Sequence, residues 1–78
     1  MTMWVIFVGS QQVRGSGTQY VARDGSVTQS KNEAQKFSTA EAVRDFAADK
    51  AIAIDGKTRH LGQETFTQTE IAWRPLGS

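Results

Sequence analysis

Ser38-Thr39-Ala40-Glu41-Ala42-Val43-Arg44-Asp45-Phe46-Ala47-Ala48-Asp49-Lys50 decides the fold, because its apolar residues recur at helical spacing. Ala42, Val43, Phe46, Ala47 and Lys50 fall on one side of a repeat of about 3.6 residues, and Glu41, Arg44, Asp45, Ala48 and Asp49 fall on the other. Ser38-Thr39-Ala40-Glu41 matches a capping box, in which a hydroxyl and a carboxylate satisfy amides that have no partner inside the helix. The expected helix therefore covers residues 39–50. A helix this short is marginal in water by itself, so its apolar face has to pack on something.

The flanking sequence supplies a sheet. Upstream, Met3-Trp4-Val5-Ile6-Phe7-Val8 is a continuous run rich in β-branched and aromatic residues closed by Gly9-Ser10, which predicts a strand buried on both faces or central in a sheet. Residues 11–17 carry Gly15-Ser16-Gly17 and read as a hairpin connection, after which residues 18–23 resume strand character. Asp24-Gly25 is a turn pair, and Ser26-Val27-Thr28-Gln29 is long enough for a third short strand. Ser30-Lys31-Asn32-Glu33 is a second capping-box match that opens only a turn or two and brings Ala34 and Phe37 to the edge of the core.

Downstream, Ala51-Ile52-Ala53-Ile54, Asp55-Gly56 and Lys57-Thr58-Arg59-His60-Leu61 predict a hairpin, with extension of the helix through residues 51–54 as the alternative. Residues 65–73 alternate up to Pro75 and predict the last strand. The expected class is α+β: a mainly antiparallel sheet of four or five strands with one principal helix on one face, in the order β-β-(β)-α-β-β. The domain covers residues 1–76, and Gly77-Ser78 match a cloning remnant.

Composition narrows the chemistry. The 78 residues leave room for one small domain. No Cys is present, which excludes disulfides, thiolate zinc sites and cysteine nucleophiles and suits a reducing, cytoplasmic setting. The net charge of +1 is neither the strong basic excess of a nucleic-acid binder nor the acidic excess of a DNA mimic. The longest apolar run is far too short to span a membrane.

His60 is the single histidine, without the ligands a metal site needs and without an evident nucleophile, and reads as a surface strand residue. Gly15-Ser16-Gly17-Thr18-Gln19-Tyr20 opens like a phosphate-binding glycine motif, but Tyr20 stands where the last glycine belongs and a strand follows. No catalytic constellation emerges, no cofactor is implied, and the chain is expected to act by binding rather than as an enzyme.

Two candidate surfaces follow. Glu41, Asp45 and Asp49 recur every fourth residue and form a ridge with about 6 Å of rise between neighbours, with Arg44 beside them. Asp49 lies near the helix C-terminus, where the dipole disfavours an anion by roughly 0.3–1 kcal/mol, a cost that docking on a basic groove would explain. Alternatively, Tyr20 with Arg23, and Trp73 with Arg74, joined by Arg59, would give the rings and cations that hold single-stranded nucleic acid.

The short chain, the β-β-α-β order and the stretch from Tyr20 to Phe37 followed by Ser38-Thr39-Ala40-Glu41-Ala42 resemble small proteins of bacteriophages and mobile elements, a group that includes anti-CRISPR inhibitors. The resemblance implies a stoichiometric inhibitor in the host bacterial cytoplasm that occludes a CRISPR-Cas effector complex or nuclease, with the acidic ridge against a nucleic-acid channel. It assigns no role to any individual residue. The competing expectations are a small nucleic-acid-binding or regulatory protein, and an accessory subunit or homodimer formed through an exposed sheet edge.

Overall fold

The computed structural model describes residues 1–9, 18–71 and 73–77. Among these residues four strands form one antiparallel sheet: β1 (Thr2–Val8), β2 (Gln19–Val21), β3 (Val27–Thr28) and β4 (Arg59–Thr65), in the spatial order β3-β2-β1-β4. One α-helix, α1 (Ala40–Asp49), precedes β4, and a short 3-10 helix (Gln68–Glu70) follows it. This is the α+β architecture that the sequence predicts, at the lower strand count.

β1 is central, and its unbroken apolar run is explained by burial on both faces. Ile6 faces α1 and packs with Val21, Phe37, Val43, Phe46 and Ala47. Val5 and Phe7 face the other way and pack with Tyr20, Ala34 and Phe66. The helix presents Val43, Phe46 and Ala47 to the sheet, and Phe46 meets Phe37 edge-on with centroids 5.2 Å apart. Ala34 and Phe37 are fully buried, and the segment before them is a hydrogen-bonded turn in which the Ser30 carbonyl accepts from the amides of Glu33 and Ala34.

Helix α1 starts one residue later than the capping-box reading predicts. Its N-cap is Thr39, whose Oγ1 accepts from the Ala42 amide at 3.1 Å, so Glu41 does not occupy the reciprocal position. At the other end Ala51 takes a left-handed conformation with φ 57°. The Ile52 amide then reaches back to the Ala47 carbonyl at 2.8 Å and the Ala51 amide to Ala48 at 3.3 Å. This closes the last turn as a Schellman motif, with Ile52 packed against the core beside Ala47. The helix therefore does not extend through residues 51–54.

Those residues do not form a hairpin strand either. Asp55 Oδ1 accepts from the amides of Lys57 and Thr58, both at 2.8 Å, and Gly56 adopts φ 78°, so the turn exists. The strand that leaves it pairs with β1, from Val8↔Arg59 to Thr2↔Thr65. β1 offers a long edge, whereas Ile52 and Ile54 are used against the helix-side core.

The predicted last strand over residues 65–73 is also corrected. The ladder closes with the Phe66 amide on the Met1 carbonyl, and the chain then turns into the 3-10 helix, where Glu70 Oε1 accepts from the Thr67 amide at 2.9 Å. Thr67-Gln68-Thr69-Glu70 is itself a Thr-x-x-Glu helix-start signature, which the alternation of its neighbours conceals. The C-terminal segment returns alongside residues 36–38, with the Leu76 amide on the Lys36 carbonyl and the Ser38 amide on the Leu76 carbonyl. Gly77 sits so close to Ala42 that a Cβ built on it would fall 2.4 Å from the alanine methyl, so this end of the chain is packed onto the start of the helix.

Candidate binding surface

Folding removes most of the aromatic residues from consideration. Phe7, Tyr20, Phe37, Phe46 and Phe66 lie in the two core clusters, and Trp4 is half-buried. Trp73 is 37% exposed, so among the described aromatics it offers a partner the most ring surface.

Two elements position it. The C-terminal segment is fixed by the Leu76 and Ser38 hydrogen bonds, which hold Trp73 near the end of β2. The turn after β2 is fixed by Asp24, whose Oδ1 accepts from the Ser26 amide at 2.9 Å and the Ser26 hydroxyl at 2.6 Å. These bonds, the hydroxyl first, hold the Asp24 carboxyl below the usual carboxylate range. From that turn Arg23 places its guanidinium carbon 3.9 Å from the centroid of the Trp73 ring. Cation and indole thus form a stacked pair, an arrangement worth roughly 0.5–1 kcal/mol at exposed sites.

The pair divides two hollows. One, of about 500 Å³, is lined by Arg23, Asp24, Glu33, Val27 and Trp73 among others, and mixes both signs of charge. The second, of about 480 Å³, is lined by Arg23, Lys50, Arg74, Trp73, Phe46 and Leu76, with Gln35 beside them. Among the described residues three cations and no carboxylate border it. Val27 and Leu76 add exposed apolar area on the two sides, at 46% and 44%.

The nucleic-acid set read from the sequence is partly dispersed. Arg23 and Arg74 meet at the second hollow with Trp73, but Arg23 stacks on Trp73 instead of accompanying Tyr20. Tyr20 is buried, tilted against Phe7 at 5.5 Å, and its hydroxyl donates to Glu64 Oε2 at 3.1 Å. Arg59 stands opposite Val8, at the end of the sheet where β2 begins rather than where it ends. Its Nε is buried without a hydrogen-bond partner among the described residues.

His60 is not on the surface. It is 3% exposed, stacks on Phe7 at 5.0 Å, and its Nδ1 lies 2.7 Å from the Gly9 carbonyl oxygen. The sequence reading missed this because the sheet face away from α1 is also covered: Phe7, on which His60 stacks, belongs there to a second core cluster with Val5, Tyr20, Ala34 and Phe66. The acidic ridge stays where the helical repeat puts it, with Glu41, Asp45 and Asp49 exposed and Arg44 exposed beside them. Gly15, Ser16 and Gly17 lie outside the described residues.

Lys36 is a buried cation that sequence reasoning did not single out. It is fully buried, donates to the carbonyls of Lys31 and Asn32, and lies 5.1 Å from the Phe66 centroid. Burial holds its ammonium below the usual lysine value, with Glu70 and Glu33 pulling the other way. Those carbonyls belong to the turn that precedes Phe37, so Lys36 acts as a tie within the second layer.

Among the described residues no three of His, Cys, Asp and Glu are grouped so as to hold a metal ion, and no helix is long and apolar enough to cross a membrane. In comparisons with known proteins, no family model, no curated sequence and no solved structure matches the chain.

Proposed function

We propose that the chain is a non-enzymatic binding module that takes a protein partner on the surface centred on Trp73. The stacked Arg23–Trp73 pair carries this reading. Tryptophan and arginine are the side chains over-represented among residues that dominate interface energetics. Here each limits the other's rotamers before a partner arrives, which lowers the ordering cost of association. Exposed Val27 and Leu76 extend the apolar area, and the first hollow carries both signs of charge while the second is cationic, a mixture that suits a protein surface with mixed side chains. An inhibitor of a CRISPR-Cas complex, which the phage-protein resemblance implies, is one form this activity would take.

Affinity capture from a bacterial lysate expressing a CRISPR system, with and without nuclease, tests the proposal. The expected result is a stoichiometric protein partner that survives nuclease and is lost with Trp73→Ala, weakened at least about 30-fold if Trp73 contributes the roughly 2 kcal/mol typical of a dominant interface residue. Retention by Trp73→Ala together with loss on replacing Glu41, Asp45 and Asp49 by Lys would move the site to the helix ridge.

A second reading rests on the hollow bordered by Arg23, Lys50 and Arg74. Three cations around an indole suit a short single-stranded nucleic acid, whose bases stack on rings beside phosphate-binding charges. Quenching of tryptophan fluorescence by oligonucleotide, measured in a Trp4→Phe background and weakening steeply with salt, would favour it.

A further inference from the structure

The edge of β4 is free along a short stretch whose pattern is symmetric about Gly62. Hydrogen bonds alternate in direction along an antiparallel pair. The Phe66 amide on Met1 at one end and the Gly9 amide on Thr58 at the other place the even-numbered residues of β4 toward β1. Arg59, Leu61, Gln63 and Thr65 therefore aim their backbone groups away from the sheet, and among the described residues no strand lies beyond β4.

Both ends of that row are occupied. The Arg59 carbonyl accepts from the Gly56 amide at 2.8 Å, and its amide points to Asp55 Oδ1 at 3.4 Å. The Thr65 carbonyl accepts from Lys31 Nζ at 3.1 Å, and its amide donates to Glu64 Oε1 at 3.2 Å. Between them the outward amides and carbonyls of Leu61 and Gln63 make no hydrogen bond in the structure.

We infer that this window is a self-pairing site, at which β4 of a second copy adds antiparallel about a two-fold axis through Gly62. In that register the Leu61 amide donates to the Gln63 carbonyl of the second copy, and the Gln63 amide of the second copy donates to the Leu61 carbonyl. Symmetry repeats the exchange, so both outward donors and both outward acceptors of each chain are satisfied. Shifting the register so that Leu61 meets Leu61 leaves Gln63 opposite the already occupied Arg59, and half of the bonds are lost.

The side chains agree with the symmetric register. Gly62 meets Gly62 on the axis, where Cα atoms of a non-hydrogen-bonded pair approach to about 4.5 Å. His60 falls opposite Glu64 and Arg59 opposite Thr65, so no like charges face each other. The window is closed at both ends, and an identical window on a second copy satisfies every outward donor and acceptor of both chains while presenting no others, so a second copy is the occupant. The contact is smaller than a standard interface of about 800 Å² per partner, so association is weak and concentration-dependent.

Sedimentation velocity of the intact chain, from about 10 μM to about 1 mM, reads the outcome as apparent mass. The expected mass rises toward twofold across that range. Over the same range amide hydrogen exchange slows at Leu61 and Gln63 and is unchanged at Gly62, whose amide already faces β1. Gln63→Pro removes an outward donor without breaking an intrachain bond, a substitution that edge strands tolerate. It abolishes the mass increase while far-UV circular dichroism stays native. If the variant fails to fold, the exchange pattern of the unaltered chain decides. A chain that stays monomeric throughout, or one that doubles in mass while the Leu61 and Gln63 amides exchange as fast as when dilute, overturns the inference.

Discussion

Phe37→Ala is the substitution to which this fold should be most sensitive. Phe37 is fully buried, meets Phe46 edge-on, and its backbone joins layers: it exchanges hydrogen bonds with Trp4 at 2.9 Å in both directions and bridges to Leu76. Truncating a buried phenylalanine costs about 3–5 kcal/mol, from lost transfer energy and the cavity left behind. A chain of 78 residues has a total stability of roughly 4–12 kcal/mol at about 0.05–0.15 kcal/mol per residue. The variant therefore loses about a quarter of its stability or more. With a urea dependence of about 1 kcal/mol/M for so small a domain, the unfolding midpoint should fall by about 3–5 M, followed by far-UV circular dichroism. Phe37→Leu keeps most of the volume and should cost only about 1–1.5 kcal/mol. A midpoint shift below about 1 M for Phe37→Ala would refute the reasoning, because it would mean that the site is not the closed junction between helix, sheet and C-terminal segment described above.

Ala51→Gly should stabilise the chain by about 0.5–1 kcal/mol, since Ala51 holds the left-handed conformation that glycine adopts without steric cost; an unchanged or lower urea midpoint would contradict the Schellman assignment. A double-mutant cycle on Arg23→Ala and Trp73→Phe should give a coupling of about 0.5–1 kcal/mol in chemical unfolding, with additive effects arguing against the stack. Acid should unfold the chain in a defined direction: Asp55, held far below its ordinary 3.8 chiefly by the amides of Thr58 and Lys57, and Glu70, held below 4.5 chiefly by the Thr67 amide, both favour the folded state when ionised. That contribution is complete above those ordinary values and is lost as pH falls through the lower folded ones, so the urea midpoint should drop between about pH 5 and pH 2 and drop less in Asp55→Ala.

Local interactions made much of this fold legible. The run at residues 3–8 predicts a strand buried on both faces or central in a sheet, and both core clusters are built on it. The helical repeat identifies Val43, Phe46 and Ala47 as the packed face, and Asp24-Gly25 marks the turn before β3. These features need only neighbours three or four residues away, or the pleat of a single strand, and the sequence displays such neighbours directly.

Tertiary structure decided the choices in which locally similar options compete. Residues 57–61 could pair with 51–54 across a turn or with β1 across the domain; β1 won because it offered a longer ladder while Ile52 and Ile54 were drawn into the core. Residues 65–73 alternate like a strand, but Phe66 entered the second layer and Glu70 capped Thr67, so the chain coiled instead. That second layer also buried His60, Tyr20 and Lys36, whose types alone suggested exposure. The stacking of Arg23 on Trp73 joins residues far apart in the chain, and no spacing rule encodes their meeting. Sequence by itself determined the elements and their apolar faces, because those follow from short-range periodicity. The site arose only when the sheet, the turn after β2 and the returning C-terminal segment closed on one another, because long-range contacts are selected by the free energy of the whole packing arrangement.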